Sequence, residues 1–231
     1  MSDKLWLTCR DPERMLRALP DPLSERKLRL AGVAACRAAW DLFTDDRCRA
    51  AVEVVERFAD ATATEAELAD AEQLAWVARD LAIGPLSAAP RQHRSRQGRC
   101  TSWAACALTI AWDRTHRSPQ QVREDVVEAL AYLQNARRGR YRATRKAQVQ
   151  LVRDVFGHPF RPVPFDPSWR TATARGLARS VYAERAFDRL PILADALEDA
   201  DCDSPDVLAH CRGDGPHVRG CWVVDLVLGK S

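Results

Sequence analysis

Apolar residues recur along this chain at helical spacing, three and four positions apart, and almost nowhere with the alternation of a strand. Leu28, Ala31, Ala35, Ala38 and Leu42 form one stripe, and Val33, Cys36, Trp40 and Phe43 form a second beside it. A face that wide predicts a helix buried on more than one side. Asp45 and Asp46 suit the start of the next helix, whose inward face carries Cys48, Ala51, Val52, Val55, Phe58 and Ala59. Thr64 followed by Glu67 has the spacing of a capping box. It opens a helix with Leu68, Ala71, Ala75, Ala78 and Ala82 inward, stopped by Gly84-Pro85.

A polar stretch covers residues 87–99, and a short apolar segment covers 103–112. Ser118, Pro119 and Gln121 then mark a helix start, with Val122, Val126, Ala129, Leu130 and Leu133 as its buried stripe. A basic stretch at 137–146 leads into a further helix ending near Phe156-Gly157. The segment HPFRPVPFDPSW, residues 158–169, holds four prolines and is predicted to be extended. Its aromatics Phe160, Phe165 and Trp169 favour a strap packed on a core over a free linker. Short helices are expected at 172–182, 188–199, 205–212 and 218–228. The last, with WVVDLVL, is rich in β-branched residues, but no other convincing strand exists to pair with it. These elements predict an all-α fold, an irregular multi-helix bundle or a short solenoid of helix pairs. The expectation is one domain over 1–231, with an arginine-rich middle at 84–150 and a proline-rich strap at 157–168. No repeat of fixed period is visible.

Two blocks carry a resemblance: WLTCRDPERML…SERKLRLAGVAACRAAWDLFTDDRCRAAVEVVERFAD, residues 6–60, and LVRDVFGHPFRPV…RAFDRLPILADALEDADCDSPDVLAHCRGDGPHVRGCWVVDLVLGK, residues 151–230. Together they resemble an uncharacterised all-helical bacterial family that occurs in many copies in planctomycete genomes. The ending HCRGDGPHVRGCWVVDLVLGK is the most specific part. The resemblance implies a helical fold and a bacterial origin, and supplies no catalytic residue.

Composition narrows the picture. Hydrophobic residues make up 46% of the 231 positions, enough for a packed core. No apolar stretch follows a basic start and no run reaches the length of a membrane span. The expectation is therefore a cytoplasmic protein away from membranes, its eight cysteines reduced. The net charge of +3 hides a segregation. Residues 86–153 hold 14 basic and 4 acidic side chains, a balance of +10, and the rest of the chain is acidic. Arg94, Arg96, Arg99, Arg138, Arg140, Tyr141, Arg142 and Arg145 are the candidates for a nucleic-acid contact, the arginines reaching phosphates and the tyrosine stacking on a base. No recognised nucleic-acid motif accompanies them, and a solvated face is the plainer account.

The other candidate chemistry is at the C-terminus. Cys202, His210, Cys211, His217 and Cys221 fall within twenty positions. A structural zinc site takes four such ligands in tetrahedral array, usually as pairs two to four residues apart. Against it, no CxxC pair exists and the adjacent His210 and Cys211 share one ion only with difficulty. Cys211 also continues the stripe of Val207 and Leu208, as a thiol used as a small hydrophobe would. Packing is the preferred reading and zinc the alternative, so no cofactor is expected. No P-loop, GxGxxG, nucleophile elbow or HExxH is present, which argues against an enzyme. The resulting expectation is a non-catalytic cytoplasmic bacterial protein, a protein-interaction module with an unidentified partner. Nucleic-acid binding through 91–146 and zinc binding through the C-terminal cluster stand as alternatives.

Overall fold

The computed structural model describes residues 1–83 and 118–230. The apolar segment 103–112 and Arg94, Arg96 and Arg99 lie outside the described residues. Among the described residues the chain forms α-helices and short 3-10 turns and no strand. The fold is all-α, a multi-helix bundle, as the periodicity predicts. No described helix is long and apolar enough to cross a membrane.

The chain divides into two compact units, Arg10–Val149 and Met1–Cys9 with Gln150–Ser231. The 10–149 unit holds α2 (Pro12–Arg17), α3 (Glu25–Arg37), α4 (Asp46–Ala59), α5 (Glu65–Ile83) and α6 (Pro119–Ala136). Helix α3 packs on α4 and α6, α4 on α5, and α2 on α6. The wide apolar face of α3 is buried from Leu28 to Cys36, with Arg29 the one partly exposed position in that span. This helix is shorter than its stripe suggests: it stops at Arg37, and Trp40–Leu42 form a 3-10 turn. Caps fall where the sequence places them. Ser118 Oγ accepts from the Gln121 N–H at 3.3 Å. Thr64 and Glu67 exchange bonds in both directions, Glu67 N–H to Thr64 Oγ1 at 3.2 Å and Thr64 N–H to Glu67 Oε2 at 2.8 Å. The buried Gln134 and Gln148 amides bond at 2.7 Å, and Gln148 then donates to the Leu130 carbonyl, so neither polar head is stranded.

Helix α7 (Tyr141–Phe156) crosses the unit boundary in sequence, with residues 150–156 in the C-terminal unit. That unit also holds α1 (Asp3–Thr8), α8 (Ala172–Glu184), α9 (Leu190–Glu198), α10 (Pro205–Cys211) and α11 (Trp222–Leu228). Helix α9 packs on α8 and α10, and α11 packs on α8 and α10. Leu190, Leu193, Leu197, Val207, Val223, Val224 and Val227 are fully enclosed in its core. Residues 157–166 run without helix into a 3-10 turn at Pro167–Trp169. Phe165 meets the buried Trp169 edge-on at 5.2 Å, and Phe160 meets Trp6 at 5.8 Å.

The last helix differs from its expected span. It starts at Trp222, not at 218, because Val218–Cys221 form a turn, closed by the Cys221 N–H on the Val218 carbonyl at 2.9 Å with Gly220 at φ +91°. Gly157 closes α7 at φ +59°, and a Cβ there would stand 2.7 Å from the Trp222 ring. The bare glycine thus lets the Trp222 indole lie against the end of α7.

Candidate metal centre

Three chain segments of the C-terminal unit deliver donors to one point. Helix α10 opens with Pro205 in its first turn and runs seven residues to Cys211. Val207 and Cys211, four apart, face the core at 0% and 1% exposure. His210, one position before Cys211, is therefore rotated about 100° off that face, and its ring is half-buried. The following turn carries His217. Cys221 precedes α11 and is fully buried. The fourth donor, Asp154, comes from the last turns of α7, where Leu151, Val152 and Val155 are buried around it.

Their polar atoms converge. Asp154 Oδ1 lies 2.7 Å from His217 Nδ1 and 3.1 Å from His210 Nε2. His210 Nε2 lies 3.2 Å from the Cys221 Sγ. One ligand atom from each of the four residues falls within 4.8 Å of all the others. The supporting contacts orient them. Asp154 Oδ2 accepts from the Val218 N–H at 2.9 Å, which aims Oδ1 at the imidazoles. His217 Nε2 donates to the Gly213 carbonyl at 3.3 Å, leaving Nδ1 as the inward atom. The His210 ring meets Trp222 edge-on at 5.1 Å and His217 at 4.9 Å.

Electrostatics follow from this enclosure. Burial alone would raise the Asp154 carboxyl, but the hydrogen bonds and charges of His210 and His217 outweigh it and hold it below the usual carboxylate range. Burial would lower His217, but the Asp154 carboxylate outweighs it and raises the imidazole. Burial, with Asp154 nearby, keeps the Cys221 thiol well above its ordinary value.

Two chemistries use Cys, His and Asp together. A nucleophilic triad needs the thiol on one imidazole nitrogen and the carboxylate on the other. Here both approach the same Nε2 of His210, and the sulfur has 0% exposure. That geometry does not relay a proton, and no substrate reaches the sulfur. A metal ion makes the opposite demand, several lone pairs aimed at one centre. With bonds of about 2.0–2.3 Å, a tetrahedral ion sets its donors about 3.3–3.8 Å apart. The three close pairs here are 2.7, 3.1 and 3.2 Å. The close pairs must spread by about half an ångström, and the widest separation, up to 4.8 Å, must contract by about 1 Å to receive the ion. His217 also meets the outer requirement, its second nitrogen on a backbone carbonyl.

The sequence candidates separate cleanly. His210, His217 and Cys221 join the cluster, whereas Cys202 and Cys211 pack in the core at 5% and 1% exposure. The objection that His210 and Cys211 do not share an ion holds, yet a different thiol, Cys221, stands in Cys211's place. Asp154, 63 positions before His217, is the residue missed by sequence reasoning. Its signal was a carboxylate inside the apolar stripe of a helix, which needs a partner when buried.

The arginine-rich candidates form no comparable site among the described residues. Arg140, Tyr141 and Arg142 are exposed at the start of α7. Arg145 is engaged by Asp11 at 2.6 Å. The side chain of Arg138 lies outside the described residues.

Comparison with protein-family models, with curated proteins and with solved structures returns no match for this chain.

Proposed function

We propose that the C-terminal unit binds one divalent transition-metal ion, zinc in the first instance, through Asp154, His210, His217 and Cys221. The observation that carries the reading is the approach of four ligand atoms, from α7, α10 and the turn before α11, to within 4.8 Å of one another. Two imidazoles, a thiolate and a carboxylate suit zinc, which accepts nitrogen, sulfur and oxygen at similar distances. The carboxylate and thiolate together balance the ion's two charges, so its burial leaves no uncompensated charge at the cluster. The ion's role is structural: it pins the end of α7 to the end of α10 and to the start of α11. The interaction and nucleic-acid readings stand behind this one, because among the described residues no convergence of side chains supports either.

The test is a zinc titration of metal-stripped protein against a competing chelator, with native mass spectrometry for stoichiometry. One zinc per chain is expected, with protons released as it binds. His217→Ala and Cys221→Ser should each weaken it. A chain that takes up no zinc, or takes it up equally well in both variants, refutes the proposal.

A further inference from the structure

A cavity of about 280 Å³ opens beside the donor cluster. Its walls include His210, His217, Asp154, Arg153 and Gly215, and Cys221 is not among them. An ion held by the four donors would therefore have its sulfur ligand on the closed side and its imidazole side toward the cavity. Arg153 is the cationic member of that lining. Its Nη2 donates to the backbone carbonyls of Trp6 at 3.2 Å and Cys9 at 2.7 Å. Its Nε, like that of several other arginines here, has no hydrogen-bond partner. Arg153 is half-buried, so its charge is partly withdrawn from water and available to an incoming anion.

Resting on the metal reading above, we propose that this cavity is a binding subsite for a small carboxylate, held between the metal ion and Arg153. The charge count favours a monoanion. Asp154 and Cys221 neutralise the ion, and Arg153 then leaves the site one positive charge in excess. The cavity is at the lower limit of ligand-pocket size, which fits a small acid. Four protein donors make a closed site, and zinc only sometimes expands to a fifth ligand, so the carboxylate oxygen would have to add as that fifth donor on the cavity side.

Cobalt(II) in place of zinc makes both layers of the argument visible. A near-ultraviolet thiolate-to-cobalt band reports the metal site itself, and its absence refutes the metal reading. Given that band, acetate should shift the visible cobalt spectrum saturably, and neutral acetamide should not. Arg153→Met should weaken acetate about tenfold or more, the usual worth of a charged hydrogen bond. Because Arg153 also holds two backbone carbonyls, a second variant guards the test. Gly215 has no positive φ, and its nearest atom to an added Cβ is His217 Cε1 at 3.9 Å. Gly215→Leu should thus fill the cavity, keep the cobalt band and abolish the acetate response. A cobalt spectrum indifferent to acetate, or one that responds equally in Gly215→Leu, overturns the subsite. Inorganic phosphate binding more tightly than acetate overturns its assignment to a monoanion.

Discussion

Asp154→Asn tests the cluster most directly, because the replacement keeps the shape of the side chain and removes its charge. Asp154 is 3% exposed and accepts from Val218, His210 and His217. An asparagine retains one carbonyl oxygen for the Val218 N–H and turns an NH₂ toward two imidazoles. Two hydrogen bonds to a charged group are lost, each worth about 1.5–3 kcal/mol. The relief of burying a carboxylate offsets part of that. The metal-free variant should be less stable by about 2–4 kcal/mol in denaturant titration. The zinc effect provides the second reading. At a thousandfold excess over Kd, zinc adds about 4 kcal/mol to the wild-type protein. Loss of an outer-shell partner alone weakens metal sites by about 10–100-fold. A hundredfold loss would reduce the increment at the same zinc concentration to about 1.4 kcal/mol. Equal zinc increments in the two proteins would remove Asp154 from the ligand set. Equal metal-free stabilities would show that the carboxylate–imidazole bonds contribute nothing, and would refute the electrostatic account of the cluster.

Trp222→Ala should cost about 3–5 kcal/mol, since the indole is 6% exposed and rests against Gly157, His158 and His210; an unchanged denaturation midpoint would make α11 peripheral. Gly157→Ala should also destabilise, because it forces a Cβ against that ring at a positive φ, and a neutral outcome would mean the end of α7 shifts freely. Burial raises the Cys48 thiol to about 11 and Cys211 to about 12, and lifts Cys36 as well, against an ordinary value of 9.0. A raised folded-state value keeps its stability below pH 9 and loses it above, so unfolding free energy should fall by up to about 1.4 kcal/mol per pH unit for each thiol, from pH 9 to about 11 for Cys48 and to about 12 for Cys211. Cys36→Ala should shallow that alkaline slope; an identical slope would assign the loss to other groups. Replacing Arg140 and Arg142, both exposed, by alanine should change stability by less than about 0.5 kcal/mol, and a larger loss in thermal unfolding would reveal a structural contact for them.

Local physics was sufficient for the helices and their starts. The Thr64–Glu67 and Ser118–Gln121 pairs act within four residues, so spacing alone specifies them. The same holds for the split between Cys211 and His210, because the helical turn of about 100° per residue sends neighbours to different faces. The assignment of WVVDLVL as helix also follows, from the want of a partner strand, whereas its start at Trp222 does not. What periodicity does not encode is which buried face meets which. Asp154 announces, from within an apolar stripe, that it needs a partner, but the helix pattern is silent on a residue 63 positions away. The choice of Cys221 over Cys202 and Cys211 was equally hidden, since all three are buried and only one sulfur lies beside an imidazole. The sequence determined which side chains must leave water. Packing of α10 and α11 around the end of α7 decided which of them meet, because long-range contact depends on the path of the whole chain and not on any local period.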